Sequence, residues 1–155
     1  MHPLANNIGA YIKTAVAIEG DGTVTGDSVV PGEAFDLQAS RQNYQSMKFA
    51  VGLGITLPSG ATATVTQFIE DSANGTDWDP LDPPHASGVS TLTGLNDGSK
   101  QSLTAELDVN LAGARRYVRG QAIVAFPGSG SGDAIAAFYV FGGGSYLPAG
   151  RDEDL

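Results

Sequence analysis

The sequence predicts an all-β protein: an antiparallel β-sandwich, jelly-roll-like in its winding, with an N-terminal and a C-terminal arm. Two period-two stretches and a dense set of turn signals carry this reading. Met47, Phe49, Val51, Leu53, Ile55 and Leu57 alternate with Lys48, Ala50, Gly52, Gly54 and Thr56, which gives a strand one greasy face and one small or polar face. Leu103, Ala105, Leu107, Val109 and Leu111 alternate likewise with Thr104, Glu106, Asp108 and Asn110. A helix would collect Leu103, Leu107 and Leu111, but the sustained alternation fits a strand better. Half-buried strands must stack their apolar faces on a second sheet, so many of them at short spacing make a sandwich or barrel. An Ig-like topology stands second, because the Cys-Trp-Cys mark of such domains is missing.

In chain order the strand candidates are Ile12 to Ile18, Ala34 to Leu37, Met47 to Leu57, Ala61 to Glu70, Val89 to Thr93, Leu103 to Leu111, Arg116 to Phe126 and Ala134 to Phe141. Turn chemistry separates them: Gly20-Asp21-Gly22, Pro31-Gly32, Pro58-Ser59-Gly60, Asn74-Gly75, Asp97-Gly98 and the run Pro127 to Asp133. The stretch Met47 to Glu70 reads as a hairpin. No internal repeat and no shift of composition marks a second domain. The chain is therefore expected to be one domain over 1–155, with an arm at 1–11, the sandwich at 12–141 and a tail at 142–155.

Composition narrows the function classes. With 17 acidic and 8 basic residues the net charge is −9, and such a chain is repelled by phosphate backbones, so no nucleic-acid partner is expected. The chain has no cysteine, which removes disulfides, thiolate metal sites and Cys nucleophiles. No secretory signal is recognised, because Asn6, Asn7 and Gly9 interrupt the stretch before Lys13, the first basic residue. The longest apolar run, Ala134 to Phe141, is far short of the ~20 residues of a membrane span. A soluble protein with no membrane partner is the expectation.

Chemistry-bearing residues are sparse. The two histidines are His2 near the N-terminus and His85 after Pro83-Pro84. A triad built on His85 would need a poised Ser and an orienting carboxylate, and Asp82 is its only sequence neighbour of that kind. No phosphate-binding glycine motif and no G-x-S-x-G elbow occurs. Asp71, Asn74, Asp77, Asp79 and Asp82 offer oxygen ligands of the type Ca²⁺ takes. The EF-hand spacing fails, however, and Asp and Asn also start and cap turns. No metal and no cofactor are expected, and no enzyme activity. Trp78, the only Trp, either packs this loop on the sandwich or serves as a binding anchor. Arg115, Tyr117, Arg119 and Gln121 form one face of a strand whose other face is Val118, Ala122, Val124 and Phe126. That polar stripe is expected to pair with Glu106 and Asp108 or to meet an acidic partner.

Several of these features, in one order, resemble the small β-sandwich decoration, or cement, proteins of tailed-bacteriophage capsids. They are the paired strands Met47 to Glu70, the connection Asp71-Ser72-Ala73-Asn74-Gly75-Thr76-Asp77-Trp78, the strand Leu103 to Leu111, the run Ala114 to Arg119, and Ala136 to Phe141 with its Gly-rich exit to Leu147-Pro148. The resemblance covers about residues 12–148. It implies a structural virion protein without an active site, assembled in the host cytoplasm onto the capsid exterior. Such a protein clamps neighbouring major capsid subunits and sits at symmetry axes as a homo-oligomer, with a homotrimer expected ahead of a homodimer. The partner-facing residues expected on this basis are Leu4, Ile8 and Tyr11 of the arm, with Trp78, Arg115, Tyr117 and Arg119. The alternative is a carbohydrate-binding β-sandwich module in which Trp78, Tyr117 or Tyr146 stacks on sugar rings. A hydrolase stands third.

Overall fold

The computed structural model describes residues 12–21, 24, 28–39, 43–81, 88–94, 98–126 and 130–144. Ten strands account for most of them: β1 (Ile12–Asp21), β2 (Ser28–Pro31), β3 (Phe35–Asp36), β4 (Ser46–Thr56), β5 (Thr62–Ser72), β6 (Asp79–Pro80), β7 (Gly88–Thr93), β8 (Lys100–Asn110), β9 (Tyr117–Ala125) and β10 (Ser131–Gly142). There is no helix among the described residues.

The strands form two antiparallel sheets. The first has the order β1-β10-β4-β8; the second has β2-β9-β5-β6, with β3 also on β9 and β7 also on β5. Leaving aside the two-residue strands β3 and β6, the hydrogen-bonded pairs β1·β10, β2·β9, β4·β8 and β5·β7 nest inside one another. Each pair joins an early strand to a late one in mirrored order. The chain is thus a long antiparallel hairpin wound over itself, and that winding is the jelly roll.

The alternation in β4 places Met47, Phe49, Val51, Leu53 and Ile55 between the sheets, each at most 2% exposed. Tyr139 and Phe141 of β10 join them, with Phe49 and Tyr139 rings 5.5 Å apart. Two polar side chains stitch the sheets through this core. Tyr139 Oη accepts the Gly120 N–H of β9 at 2.6 Å and donates to the Glu33 carbonyl at 3.0 Å. Gln67 of β5 reaches the other way, its Nε2 donating to the carbonyls of Phe49 at 2.9 Å and Ala105 at 3.3 Å. Buried polar groups are tolerated where they are hydrogen-bonded, and these bonds fix how one sheet sits on the other.

Three sequence expectations are corrected. Met47 to Glu70 is not a hairpin, because β4 and β5 lie in different sheets. Each strand finds its own partners, and the Pro58–Ala61 turn, closed by Ala61 N–H on the Pro58 carbonyl at 3.0 Å, carries the chain across the sandwich. Gly20 and Asp21 are not a turn but the end of β1, whose register against β10 shifts a second time between Ile18 and Asp21. Pro31 ends β2, a strand missed in the sequence. At that sheet edge its absent N–H removes no ladder bond.

Candidate interaction surface

The basic run 115–119 arrives at one end of the second sheet, where β9 pairs with β5 in the register Glu70↔Arg119 and Ser72↔Tyr117. This pairing lays an acidic residue directly across from Arg119, and Arg119 Nε donates to Glu70 Oε2 at 2.8 Å. Gln121 Nε2 donates to the same oxygen. The Arg119 guanidinium lies 4.3 Å from the centroid of Trp78, so the indole caps an ion pair. Trp78 is thereby packed onto the sheet while part of it stays accessible.

Arg115 stands just before β9 and is more deeply engaged. Its backbone N–H and its Nε donate to the two Asp71 carboxylate oxygens at 2.9 and 2.8 Å. Nη2 reaches the Asp71 carbonyl at 2.7 Å and Asp79 Oδ2 at 2.9 Å. The Asp71 side chain is only 8% exposed. These hydrogen bonds, Asp71's first, hold the Arg115 proton above the ordinary guanidinium range. Arg116 points elsewhere, to Asp36 at 2.6 Å, and its hydrogen bond holds the Asp36 carboxyl below the usual carboxylate range. Tyr117 lies beneath the Gly75 turn and beside the Arg116 guanidinium.

The expected partners Glu106 and Asp108 are not used by these arginines. Both bond Lys48 instead, at 2.8 and 2.9 Å, because β8 lies beside β4 in the opposite sheet. The structure brings Trp78, Arg115, Tyr117 and Arg119 together as a fold-holding cluster. Leu4, Ile8, Tyr11, Tyr146, His2, His85 and Asp82 lie outside the described residues. The acidic loop is organised by its own turns: Asn74 Oδ1 accepts the N–H groups of Thr76 and Asp77, and Ser72 Oγ accepts those of Asn74 and Gly75. Among the described residues no group of three metal-ligating side chains occurs.

Sequence reasoning missed the apolar outer faces. On the first sheet Val16 and Phe138 are cross-strand neighbours, each 49% exposed. Beside them β10 points Ala134, Ala136 and Val140 outward, and β4 adds Ala50, Gly52 and Gly54. On the second sheet Val29 and Val89, 56% and 66% exposed, stand at the two ends of a row with Ile123 and Thr66 between them. The signal was available in Ala134 to Phe141, which is apolar at every position; a strand apolar on both faces is one that expects cover on both.

No family model matches the chain, and no curated protein matches it. Among solved structures, the exported protein XepA of PBSX is similar with a TM-score of 0.50 and 13% identity, over 86% of this chain and 38% of that one. The structure of infectious bursal disease virus, Gx strain, is similar with a TM-score of 0.47 and 12% identity, over 89% of this chain and 33% of that one. The STIV MCP gives 0.42 and 10%, over 84% and 47%. The chain therefore spans well under two thirds of each of these three proteins. The XepA likeness is one of fold, a β-sandwich, and viral capsid proteins stand among the other structural neighbours.

Proposed function

We propose that the protein is a structural component of a virion that binds the outer surface of a capsid and bridges neighbouring major capsid subunits. The observation that carries this reading is the pair of apolar outer faces. A cement must adhere on more than one side, and this sandwich exposes apolar residues on both: the cross-strand pair Val16 and Phe138 on one sheet, and on the other a row that runs from Val29 through Ile123 and Thr66 to Val89. Exposed apolar groups gathered across neighbouring strands mark interaction surfaces more often than singly scattered ones do. The two sheets between them are rigidly stitched by Tyr139 and Gln67, which suits a body that transmits load rather than one that turns over substrate. The resemblance to phage decoration proteins points the same way.

On this proposal the same genome encodes a major capsid protein, and the test is co-sedimentation with capsids assembled from it. Wild type is expected to pellet with capsids, while Phe138→Asp and Val89→Asp are each expected to lose occupancy without losing melting temperature. Full occupancy for both variants, or binding of soluble oligosaccharide with no capsid binding, overturns the proposal.

A further inference from the structure

β8 is an edge strand of unusual completeness. It pairs with β4 over all eleven residues, Ser46↔Asn110 to Thr56↔Lys100, without a register shift. Its other side pairs with no strand among the described residues. The remaining edges are blunted: β1 carries two register shifts, and β2, β3, β6 and β7 run only four, two, two and six residues. Short strands and bulges are the usual protection of sheet edges, and a long flat edge without them is a template for another strand.

Which backbone groups face that edge follows from Gln67. Its Nε2 lies within hydrogen-bond reach of both the Phe49 and Ala105 carbonyls, which is possible only if both carbonyls point into the space between β4 and β8. Leu111 N–H donating to the Gln45 carbonyl continues the same phase. In an antiparallel ladder the residues alternate between bonding to one side and to the other. The odd residues of β8 therefore bond β4, and Lys100, Ser102, Thr104, Glu106 and Asp108 present N–H and C=O to the open edge.

We propose that two copies of this chain pair through β8, antiparallel about a two-fold axis at Thr104. In that register Thr104 meets its own copy, Ser102 meets Glu106, and Lys100 comes across from Asp108, twice per dimer, adding a second cation to a carboxylate that Lys48 of its own chain holds at 2.9 Å. Like charges are kept apart and opposite charges are brought across, the arrangement that favours a cross-strand pair. An isologous contact needs such self-complementarity. The joined strands exchange roughly ten backbone hydrogen bonds and turn two four-stranded sheets into one continuous sheet of eight. Leu103, only partly buried at the edge of the core, gains cover from the partner strand. The pairing is two-fold, in place of the trimer expected from the sequence, and it stands independently of the capsid reading because it is measured on the chain alone.

Sedimentation velocity of the full chain from about 10 to 300 µM is expected to show a monomer–dimer equilibrium. Thr104→Pro removes the outward N–H at the axis and should leave a monomer with an unchanged far-UV spectrum. Lys100→Glu sets like charge against Asp108 at both ends and should raise the dimer Kd about tenfold. The chain has no cysteine, so Thr104→Cys supplies a single thiol, and a short bismaleimide should join two copies through it. A chain that stays monomeric throughout the range overturns the proposal. So does a dimer that tolerates both Thr104→Pro and Lys100→Glu, or one whose Thr104→Cys variant fails to crosslink.

Discussion

The phenol of Tyr139, on the inner face of one sheet, takes the backbone N–H of Gly120 in the other at 2.6 Å. The approach requires glycine, since a Cβ at position 120 would stand 2.7 Å from the ring of Phe49. A small residue in β9 and two aromatic residues of the facing sheet therefore set the separation of the sheets at this point. The same phenol donates to the Glu33 carbonyl, tying down the segment that leads from β2 to β3.

Tyr139→Phe keeps the ring and deletes both bonds. A buried N–H left without a partner costs about 1–3 kcal/mol, which for a domain of this length is a drop of roughly 3–10 °C in melting temperature. Differential scanning calorimetry of the two proteins checks this.

Burial pushes the Tyr139 phenol up to about 12, while an unfolded tyrosine ionises near 10. The folded value is the higher one, so the contribution is whole below about pH 10 and is lost as pH rises through about 12. Denaturant titrations should give flat stability up to about pH 10 and a decline of roughly 2–3 kcal/mol over the next two pH units. In Tyr139→Phe this part of the decline should vanish.

Gly120→Ala and Gly60→Ala separate two uses of glycine. The first drives a methyl into the Phe49 ring and should lower stability by about 3 kcal/mol or more, or prevent folding. At Gly60 nothing lies within 4 Å, and only its φ of +74° disfavours a side chain. That variant should fold and lose about 1 kcal/mol. Parity between the two in urea denaturation would mean that close approach at Gly120 is not what sets the inter-sheet distance.

Much of the fold was legible because period-two alternation is a local signal. Phe49 and Leu107 are buried as the pattern requires. The pairing of strands was not legible, since turn chemistry at Pro58-Ser59-Gly60 is the same whether a chain returns within its sheet or crosses to the other. β2 was hidden by its length and by Pro31, which reads as a turn unless one knows that it sits on an edge. The partners of the cationic stripe were not legible. The sequence offered Glu106 and Asp108 or an acidic partner surface, whereas Asp71, 44 residues from Arg115, takes that side chain within the domain, and only the β5–β9 register reveals it. Phe138 and Val16 were overlooked for the opposite reason, because apolar residues in a strand are assigned to the core by default.

The two neighbouring arginines should behave differently in stability measurements. Arg115→Ala takes the guanidinium away from Asp71, whose side chain is 8% exposed, and leaves that buried charge only the backbone N–H of residue 115, which is destabilising. A fall of roughly 5 °C or more is expected. Arg116 and Asp36 are 45% and 21% exposed, and water takes over much of such a pair's interaction. Arg116→Ala should shift melting by only about 1–2 °C. Equal shifts would refute the assignment of Arg115 as the residue that anchors the start of β9.

Gln67 offers the sharpest test of what the core polar groups do. The residue is fully buried; its Nε2 is bonded, while its Oε1 has no hydrogen-bond partner among the described residues. The carbonyls it serves, Phe49 and Ala105, already face into the β4–β8 ladder, so losing the amide does not orphan them. Gln67→Met keeps the length, gives up two shared bonds and removes a desolvated acceptor. These effects oppose one another, and stability should stay within about 1 kcal/mol of wild type. Gln67→Glu keeps the shape but can be held in place only as the neutral acid, whose O–H can donate to the Phe49 carbonyl as the amide does. Burial raises the folded pKa of such a carboxyl above its unfolded value of about 4.3. The variant should therefore be near wild type at pH 4 and lose stability as pH rises, by several kcal/mol at pH 7.5. Urea denaturation of the three proteins at both pH values decides it. If Gln67→Met is as unstable as Gln67→Glu at pH 7.5, the amide is a required staple between the sheets rather than a tolerated one.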